Sequence, residues 1–209
     1  MPEASDWLAI ARSKDPDDVR EQILTGYKAG KPFTPYEPTI PLPVPLGDVL
    51  DFGCGLGRNF PYLRRVAERV SGFDLPPMIE RCRAVPQAEG ISLFDDWDAA
   101  KTTRFDLIIA SLVLQHIDPA MTSVRLEDFA RMAPYVYLLS RVESDFQTNV
   151  FEDIRAAGRF EPGECVGVDH DPATHQLRVL GRAPFDDVRK LSGSGHFEVL
   201  LRSNVFQRA

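Results

Sequence analysis

The sequence predicts an α/β protein with a doubly wound, mostly parallel sheet that is flanked by helices on both faces. From Asp48 onward, short apolar runs alternate with stretches at helical spacing, which is typical of successive strand–helix–strand units. The runs are DVLDFG, VSGFD, ISLF, FDLIIAS and YVYLLS. The chain has 209 residues and is 44% apolar, which fits one globular domain with its own core. We therefore expect a single domain over residues 1–209.

A helical and then proline-rich segment precedes this pattern. Asp15 can cap a helix, Pro16 suits the first turn, and Gly30 can end it. The apolar stripe of this predicted helix is Val19, Ile23 and Tyr27. The following segment, KPFTPYEPTIPLPVP, contains six prolines, which exclude a regular helix or a central strand. We expect residues 1–46 to form a helical and extended cap.

Two more helices are predicted between the strands. Asn59 opens the first, in which apolar residues recur at helical spacing, at Leu63, Val66, Ala67 and Val70. Asp118 and Pro119 begin the second. The buried stripe predicted for this second helix is Leu126, Phe129, Ala130 and Ala133.

Three alternating glycines follow the first predicted strand in DVLDFGCGLGRN, at Gly53, Gly55 and Gly57. Such glycines let the backbone turn sharply and lie directly against a ligand. A phosphate-binding P-loop would need Gly-Lys-Ser/Thr, and a dinucleotide loop would need glycine at Arg58. Asp51, just before the loop, can accept a hydrogen bond from the ammonium of an amino-acid ligand, directly or through water.

A second acidic residue, Asp74, ends the second predicted strand, 19 residues beyond Gly55. A carboxylate at this position of such a fold can accept hydrogen bonds from both ribose hydroxyls of a nucleoside. The two carboxylates and the glycine loop therefore predict a ligand that combines an amino acid with a nucleoside.

The segments DVLDFGCGLGRNFPYL, GFDLPPMIERC and FDLIIASLVLQHI resemble successive motifs of the class I, Rossmann-like methyltransferases, over roughly residues 48–141. The resemblance implies a Rossmann-like fold, S-adenosylmethionine as cofactor and a cofactor-binding core over residues 47–141. It implies that the glycines lie under the methionine part of the cofactor. In the same comparison Asp51 is the partner of the amino group, and Asp74 holds the ribose.

The resemblance also implies the surroundings of adenine. Leu75 and Met78 would flank the ring, and either Asp95 or Asp96 would receive its exocyclic amine. Trp97 is expected either to pack on the ring or to cover the sheet edge. The other expected members of the cofactor site are Cys54, Arg58, Ser111 and Leu112. We interpret Cys54 as a small packing residue, because no His or Lys adjoins it that would favour its thiolate.

His116 follows the fourth predicted strand and is expected at the ligand crevice. Histidine titrates near neutral pH, so His116 is a candidate base that would remove a proton from the acceptor. A structural role is the alternative, which we favour because the equivalent position in the family is commonly structural. Asp169, His170, Asp171 and His175 are of types that bind metals, but DHDPATH is also a good hairpin turn, and we expect no metal.

Composition bounds the partners. The net charge is −7, and the basic residues are scattered, which argues against nucleic acid as a partner. No apolar run approaches the roughly 18 residues of a membrane helix. The three cysteines have no CxxC spacing, so we expect reduced thiols and a cytoplasmic protein.

Residues 142–209 are expected to hold a lid-like insert near 145–182, followed by a helix, a glycine break and a strand with Phe197, Val199 and Leu201 on one face. The sheet edge is open to two alternatives: VFQ near the C-terminus forms a short strand, or the insert around QLRVL supplies the partner. The function expected is methyl transfer to a small molecule. The alternatives are a methyltransferase of protein or RNA and a cofactor-binding partner subunit without catalysis.

Overall fold

The structure, a computed structural model, describes residues 4–13, 40–141, 150–170, 177–190 and 195–207. The first half of the chain contains the helices α1 (Ala4–Ala11), α2 (Phe60–Val66), α3 (Pro76–Cys82) and α4 (Trp97–Ala100). Its strands are β1 (Leu46–Phe52), β2 (Ala67–Phe73), β3 (Ser92–Phe94) and β4 (Leu107–Ser111). The second half contains α5 (Pro119–Met132), β5 (Tyr135–Arg141), α6 (Val150–Ala157), β6 (Phe160–His170), β7 (Leu177–Ala183) and β8 (His196–Ser203).

These strands form one eight-stranded sheet in the order β3-β2-β1-β4-β5-β8-β6-β7. The first five of them in this order pair in parallel. The last three pair antiparallel with their neighbours. The strand order reverses between β1 and β4, which is where open α/β sheets bind ligands. The predicted mostly parallel, doubly wound α/β fold is confirmed.

Each face of the sheet is covered by its own hydrophobic cluster, because successive side chains of a strand point to opposite faces. Leu50 and Phe52 of β1 pack with Phe129 of α5 in one cluster. Val49 packs with Leu63 of α2 in the other, which also contains Ile79 and Cys82 of α3 and Ile109 and Tyr137 of the sheet. We call the second face the α2 face. Asp51 lies on it, since it alternates with Leu50 and Phe52.

The helix that follows the glycine loop is shorter than its apolar spacing predicts. α2 ends at Val66, whereas the predicted stripe continues through Ala67 and Val70. Both of these residues belong to β2, where Ala67 pairs with Leu46 and Val70 with Val49 of β1. This corrects the prediction: pairing with a central strand outweighs helical spacing over so short a stretch.

The helix predicted from Asp118 agrees with the structure. Asp118 caps α5 with its side chain, which accepts a hydrogen bond from the backbone nitrogen of Ala120 at 2.9 Å. All members of the predicted stripe are buried. No helix of the described residues is long and apolar enough to cross a membrane. The predicted helix from Asp15 to Gly30 and most of the proline-rich segment lie outside the described residues.

The predicted insert differs from a separate lid where the structure describes it. β6 and β7 pair with each other, and β6 also pairs with β8, so that both strands continue the sheet beyond β8. The insert is therefore the partner at the sheet edge, and the segment VFQ follows β8 without strand structure. Alternation along β8 is as predicted, with Phe197, Val199 and Leu201 buried.

Candidate active site

The glycine loop lies beyond the carboxyl end of β1, at the reversal of strand order. Gly53, Gly55 and Gly57 all have positive φ, at 74°, 55° and 77°. A Cβ on Gly53 would come within 2.3 Å of Val113 Cγ2, so this position requires glycine for both conformation and space. Backbone N–H groups of Gly53 and Cys54 donate to the carbonyl of Phe73, which fixes the loop against β2.

Asp51 is buried beneath this loop, with 1% of its surface exposed. Asn59 Nδ2 donates to both carboxylate oxygens, at 3.1 and 3.2 Å. Burial raises the pKa of Asp51 from 3.8 to about 7, although the Asn59 hydrogen bond and the Arg58 charge lower it and Asp74 raises it further. The carboxylate thus lacks a full counter-charge within the protein.

Asp74 connects the end of β2 to the loop. Its Oδ2 accepts from the backbone nitrogen of Gly55 at 2.8 Å, and its Oδ1 accepts from that of Leu75 at 2.7 Å. Burial raises the pKa of Asp74 to about 6, and the two backbone hydrogen bonds oppose this effect. Because a carboxylate oxygen has two lone pairs, each oxygen can still accept one further hydrogen bond.

Three more predicted residues lie at the end of β4 or contact it. Arg58 Nη2 donates to Ser111 Oγ at 3.5 Å. Burial lowers the pKa of Arg58, and the neighbouring Asp51 raises it. Leu112 has a positive φ of 58° and donates its backbone N–H to Leu139 at 2.7 Å. The fold therefore brings Arg58 and Ser111 to the same crevice as Asp51.

Cys54 is buried within the loop, where its thiol lies beside that of Cys82. The hydrogen bond with Cys82 and then burial raise the pKa of the Cys54 thiol well above its ordinary value. A protonated, enclosed thiol is a poor nucleophile. This environment fits the packing role expected from the sequence.

Around the predicted adenine position, Leu75 and Met78 differ in exposure. Leu75 is 37% exposed, which leaves its side chain accessible to a ligand. Met78 is buried and packs with Leu56 and Ala11. Their contact with adenine stays a prediction.

Trp97 lies in the hydrophobic core. Its ring packs against Phe52, Phe73 and Phe129, with centroid distances of 5.3, 5.0 and 5.9 Å. Its Nε1 donates to Asp128 Oδ2 at 2.7 Å. The ring therefore packs in the core and not in a surface loop at the sheet edge, and its contact with adenine stays a prediction.

The neighbouring residues Asp95 and Asp96 make different contacts. Asp96 caps α4, because its Oδ1 accepts from the backbone nitrogen of Asp98 at 3.0 Å. Asp95 forms an exposed ion pair with Arg83 at 3.1 Å. The choice between them as the acceptor for adenine remains a prediction.

His116 is half-buried in a one-turn 3-10 helix, Leu114–His116, beyond the end of β4. Its Nε2 lies 3.3 Å from Gln115 Nε2. Gln115 is buried, and its Oε1 accepts from the backbone nitrogen of Arg141 at 3.3 Å. The turn is thereby tied to the end of β5. Both proposed roles of His116 remain predictions.

The metal alternative falls mostly outside the described residues, since residues 171–176 are not among them. Over the described part of the chain, no three His, Cys, Asp or Glu side chains come together as a metal site.

A groove of about 430 Å³ lies on the α2 face over β5, β8 and β6 and contains residues that the sequence analysis did not identify. Tyr137 of β5 and Glu198 of β8 line this groove. Both are 2% exposed, and the Tyr137 hydroxyl and Glu198 Oε1 have no hydrogen-bond partner among the described residues. Burial raises the pKa of Glu198 to about 7. The sequence gives one signal for Glu198, which is an acidic residue within the apolar strand segment HFEVLL. The segment alone does not reveal that Glu198 is buried as well as its apolar neighbours on the other face.

Asn59 is a further residue whose contact with Asp51 was not foreseen. The sequence analysis assigned it only to the start of a helix, which the structure confirms. Its side chain makes no cap hydrogen bond and donates to Asp51 instead. The sequence signal of the contact between Asn59 and Asp51 is a polar residue two positions after the last glycine of the loop.

The model of a family described as a methyltransferase domain matches residues 27–158, more than half of the chain. A search of curated proteins finds no match. Among solved structures, the N-methyltransferase NodS of Bradyrhizobium japonicum WM9, in complex with S-adenosyl-L-homocysteine, is 15% identical. The alignment covers 96% of this chain and 97% of that one, with a TM-score of 0.59.

Two further solved structures share the fold. Magnesium protoporphyrin IX methyltransferase of Synechocystis PCC 6803, with bound S-adenosylmethionine, is 19% identical over 77% of this chain and 71% of that one, with a TM-score of 0.52. A chain in a complex with a methyltransferase activator of Haloferax volcanii is 19% identical over 82% of this chain and 87% of that one, with a TM-score of 0.53.

Proposed function

The chain belongs to the methyltransferase domain family and is an S-adenosylmethionine-dependent methyltransferase, and from this premise we propose that its methyl acceptor is a small molecule. The transfer occurs in line, to an acceptor held over the carboxyl ends of the parallel strands. The described strands of the cofactor-binding core and of the C-terminal part belong to one sheet, which supports a single domain.

The proposed cofactor site consists of the glycine loop, Asp51 and Asp74. Asp51 is buried and Asp74 is partly buried, and each carboxylate has free acceptor capacity. These properties fit an ammonium at Asp51 and two ribose hydroxyls at Asp74. The positive φ of Gly53 and Gly57 leaves the loop without side chains where the ligand backbone would lie. Leu75, Met78 and one of Asp95 and Asp96 would surround adenine.

When bound, S-adenosylmethionine supplies a methyl group already activated by its sulfonium. The protein therefore contributes mainly position, which is worth roughly 7 to 11 kcal/mol of the barrier in well-oriented reactions. Arg58 and Ser111 hold the loop beside the end of β4, and Leu112 ties that end to β5. We assign His116 a structural role in the same turn.

The observation that supports a small-molecule acceptor is the groove on the α2 face. Its volume of about 430 Å³ falls in the range of small-molecule sites, roughly 300 to 1,000 Å³. The net charge of −7 further disfavours RNA. NodS and the magnesium protoporphyrin IX methyltransferase share the fold, and the second is named for a small-molecule substrate. The buried free cysteines fit a reducing compartment such as the cytoplasm.

A second candidate is a methyltransferase of protein or RNA that works with a partner subunit. The similarity to a chain that forms a complex with a methyltransferase activator favours it. The two candidates differ in where the methyl group goes.

The test uses S-adenosylmethionine labelled in its methyl group. The protein is incubated with cell extract separated into small-molecule, protein and RNA fractions, and the label is counted in each. We expect transfer into the small-molecule fraction, and less transfer by the Asp74→Ala variant at the same cofactor concentration. Label that enters only the protein or RNA fraction would refute the small-molecule proposal.

A further inference from the structure

Among the described residues, two of the buried polar groups without a hydrogen-bond partner face the groove outside the proposed cofactor site. The hydroxyl of Tyr137 and Oε1 of Glu198 are buried without a hydrogen bond. No ion pair among the described residues includes Glu198, and burial alone accounts for the rise in its pKa to about 7. Buried polar groups in native proteins are nearly always satisfied, so an unsatisfied pair calls for an explanation.

The register of the sheet aligns these groups with the cofactor site. Asp51 pairs with Ile109, and Ile109 pairs with Tyr137, so these residues form one row across three strands. In the next row, Ser111 pairs with Leu139, and Leu139 pairs with Glu198. Directly paired residues share a face, so Ser111, Tyr137 and Glu198 all lie on the α2 face.

The distance across the rows is short. Neighbouring strands lie about 4.8 Å apart, and β8 is two strands from β4, which separates the backbones of Ser111 and Glu198 by about 10 Å. Arg58 contacts Ser111 from the glycine loop. Glu198 therefore lies two strand spacings from Ser111, on the same face and at the same end of the sheet as the proposed cofactor site.

Two arginines line the groove, Arg182 and Arg202, and neither forms an ion pair with Glu198 among the described residues. Arg182 instead forms an exposed ion pair with Glu164, at 3.1 Å. Val166 of β6 is paired with Glu198 and contributes an apolar wall. The site thus combines a buried carboxylate, a phenol and apolar surface, and Glu198 Oε1 accepts no hydrogen bond from the described residues.

We propose that Glu198 and Tyr137 bind an amine of the methyl acceptor, so that the substrate is a small molecule with a basic nitrogen. An ammonium supplies several N–H donors and a positive charge, which match the carboxylate and the phenol oxygen. An alcohol of the same shape supplies one neutral donor, and a carboxylic acid would add a second negative charge. This inference rests on the proposal of a small-molecule acceptor.

The test compares probes that differ only in this group. Benzylamine and benzyl alcohol, and cyclohexylamine and cyclohexanol, are titrated by NMR into protein saturated with S-adenosylhomocysteine. A charge-assisted hydrogen bond in a buried site corresponds to roughly 10- to 100-fold in affinity. We expect each amine to bind at least tenfold more tightly than its alcohol. Equal affinities, or no binding of either amine, would overturn the proposal.

Substitutions at Glu198 and Tyr137 test whether these residues cause the preference for amines over alcohols. Glu198→Gln should abolish it, Tyr137→Phe should reduce it, and Glu198→Asp should retain part of it. Glu127→Gln is the matched control, because it removes an exposed, ion-paired carboxylate on α5, outside the groove, and should retain the full preference. A preference that persists in Glu198→Gln refutes the assignment. If Glu198→Gln does not fold, the comparison of amines with alcohols in the parent protein and in Glu198→Asp still tests whether Glu198 binds the amine.

The two levels of proposal fail differently. Labelled methyl that enters only protein or RNA refutes the small-molecule acceptor, whatever the probes do. Labelled methyl that enters small molecules, combined with equal affinity for amines and alcohols, refutes only the amine site.

Discussion

The Asp51→Asn substitution gives the sharpest test of the proposed cofactor site, because it should stabilise the protein and weaken its ligand together. Asp51 is 1% exposed, and its pKa rises from 3.8 to about 7 mainly through burial. At about 1.4 kcal/mol for each pKa unit, this difference corresponds to an upper value of about 4 kcal/mol.

The sign follows from the direction of the shift. A carboxyl with a raised pKa in the folded state favours folding in its protonated form. Its full stability is present below pH 3.8, declines as the pH rises to about 7, and is lost above that value. The isosteric amide cannot ionise, so the variant should lose this part of the pH dependence and be more stable than the parent at pH 8, by about 2 to 4 kcal/mol.

The assay is urea unfolding of both proteins at pH 5 and pH 8, with and without S-adenosylhomocysteine. Calorimetry should show at least a tenfold loss of affinity in the variant, since a charge-assisted hydrogen bond to the ligand ammonium is worth about 1.5 to 3 kcal/mol. Asp98→Asn is the control: Asp98 is an exposed residue that pairs with Lys101. A variant that is less stable than the parent at pH 8, or that keeps its affinity, would refute the role assigned to Asp51.

The remaining predictions concern the ligand and the other site residues. S-adenosylmethionine and S-adenosylhomocysteine should raise the unfolding free energy by about 2.7 kcal/mol at 100 times their dissociation constants, and NAD should not; an equal shift with NAD in a thermal-shift assay would contradict the cofactor assignment. Asp74→Ala should lower cofactor affinity at least tenfold by calorimetry, and unchanged affinity in a folded variant would mean that another group holds the ribose. His116→Asn should lose thermal stability and retain the pH profile of the rate; retained stability with a loss of turnover above about 100-fold would identify His116 as a base.

The residues whose arrangement is local could be predicted from the sequence. Asp51, the glycines and Asp74 lie at the ends of adjacent parallel strands, and the strand runs predict those ends directly. Helical spacing failed at Ala67 and Val70, because four apolar residues fit a strand as well as a helix and the partner strand decides. Trp97 shows the same limit, since its partners Phe52, Phe73 and Phe129 come from three separate elements.

Glu198 was beyond prediction for a related reason. In β8, Glu198 alternates with the apolar residues Phe197 and Val199, and such alternation predicts that the polar residue faces solvent. Only the pairing of β8 between β5 and β6 shows that this site is enclosed. The partner β6 comes from the insert, for which the sequence analysis left open whether it forms a lid or supplies a strand at the sheet edge.

Asp51, Asp74 and Glu198 share one electrostatic condition. Burial raises the pKa of each. All three lie at one end of the sheet, and among the described residues the Arg58 charge only partly offsets the burial of Asp51. A fold that keeps carboxylates with raised pKa values loses stability at neutral pH. A ligand that supplies positive charge and hydrogen-bond donors recovers that stability on binding, because anything that binds the folded state alone stabilises it. The cofactor ammonium can do this at Asp51 and the ribose hydroxyls at Asp74, and an amine on the acceptor would complete the same compensation at Glu198.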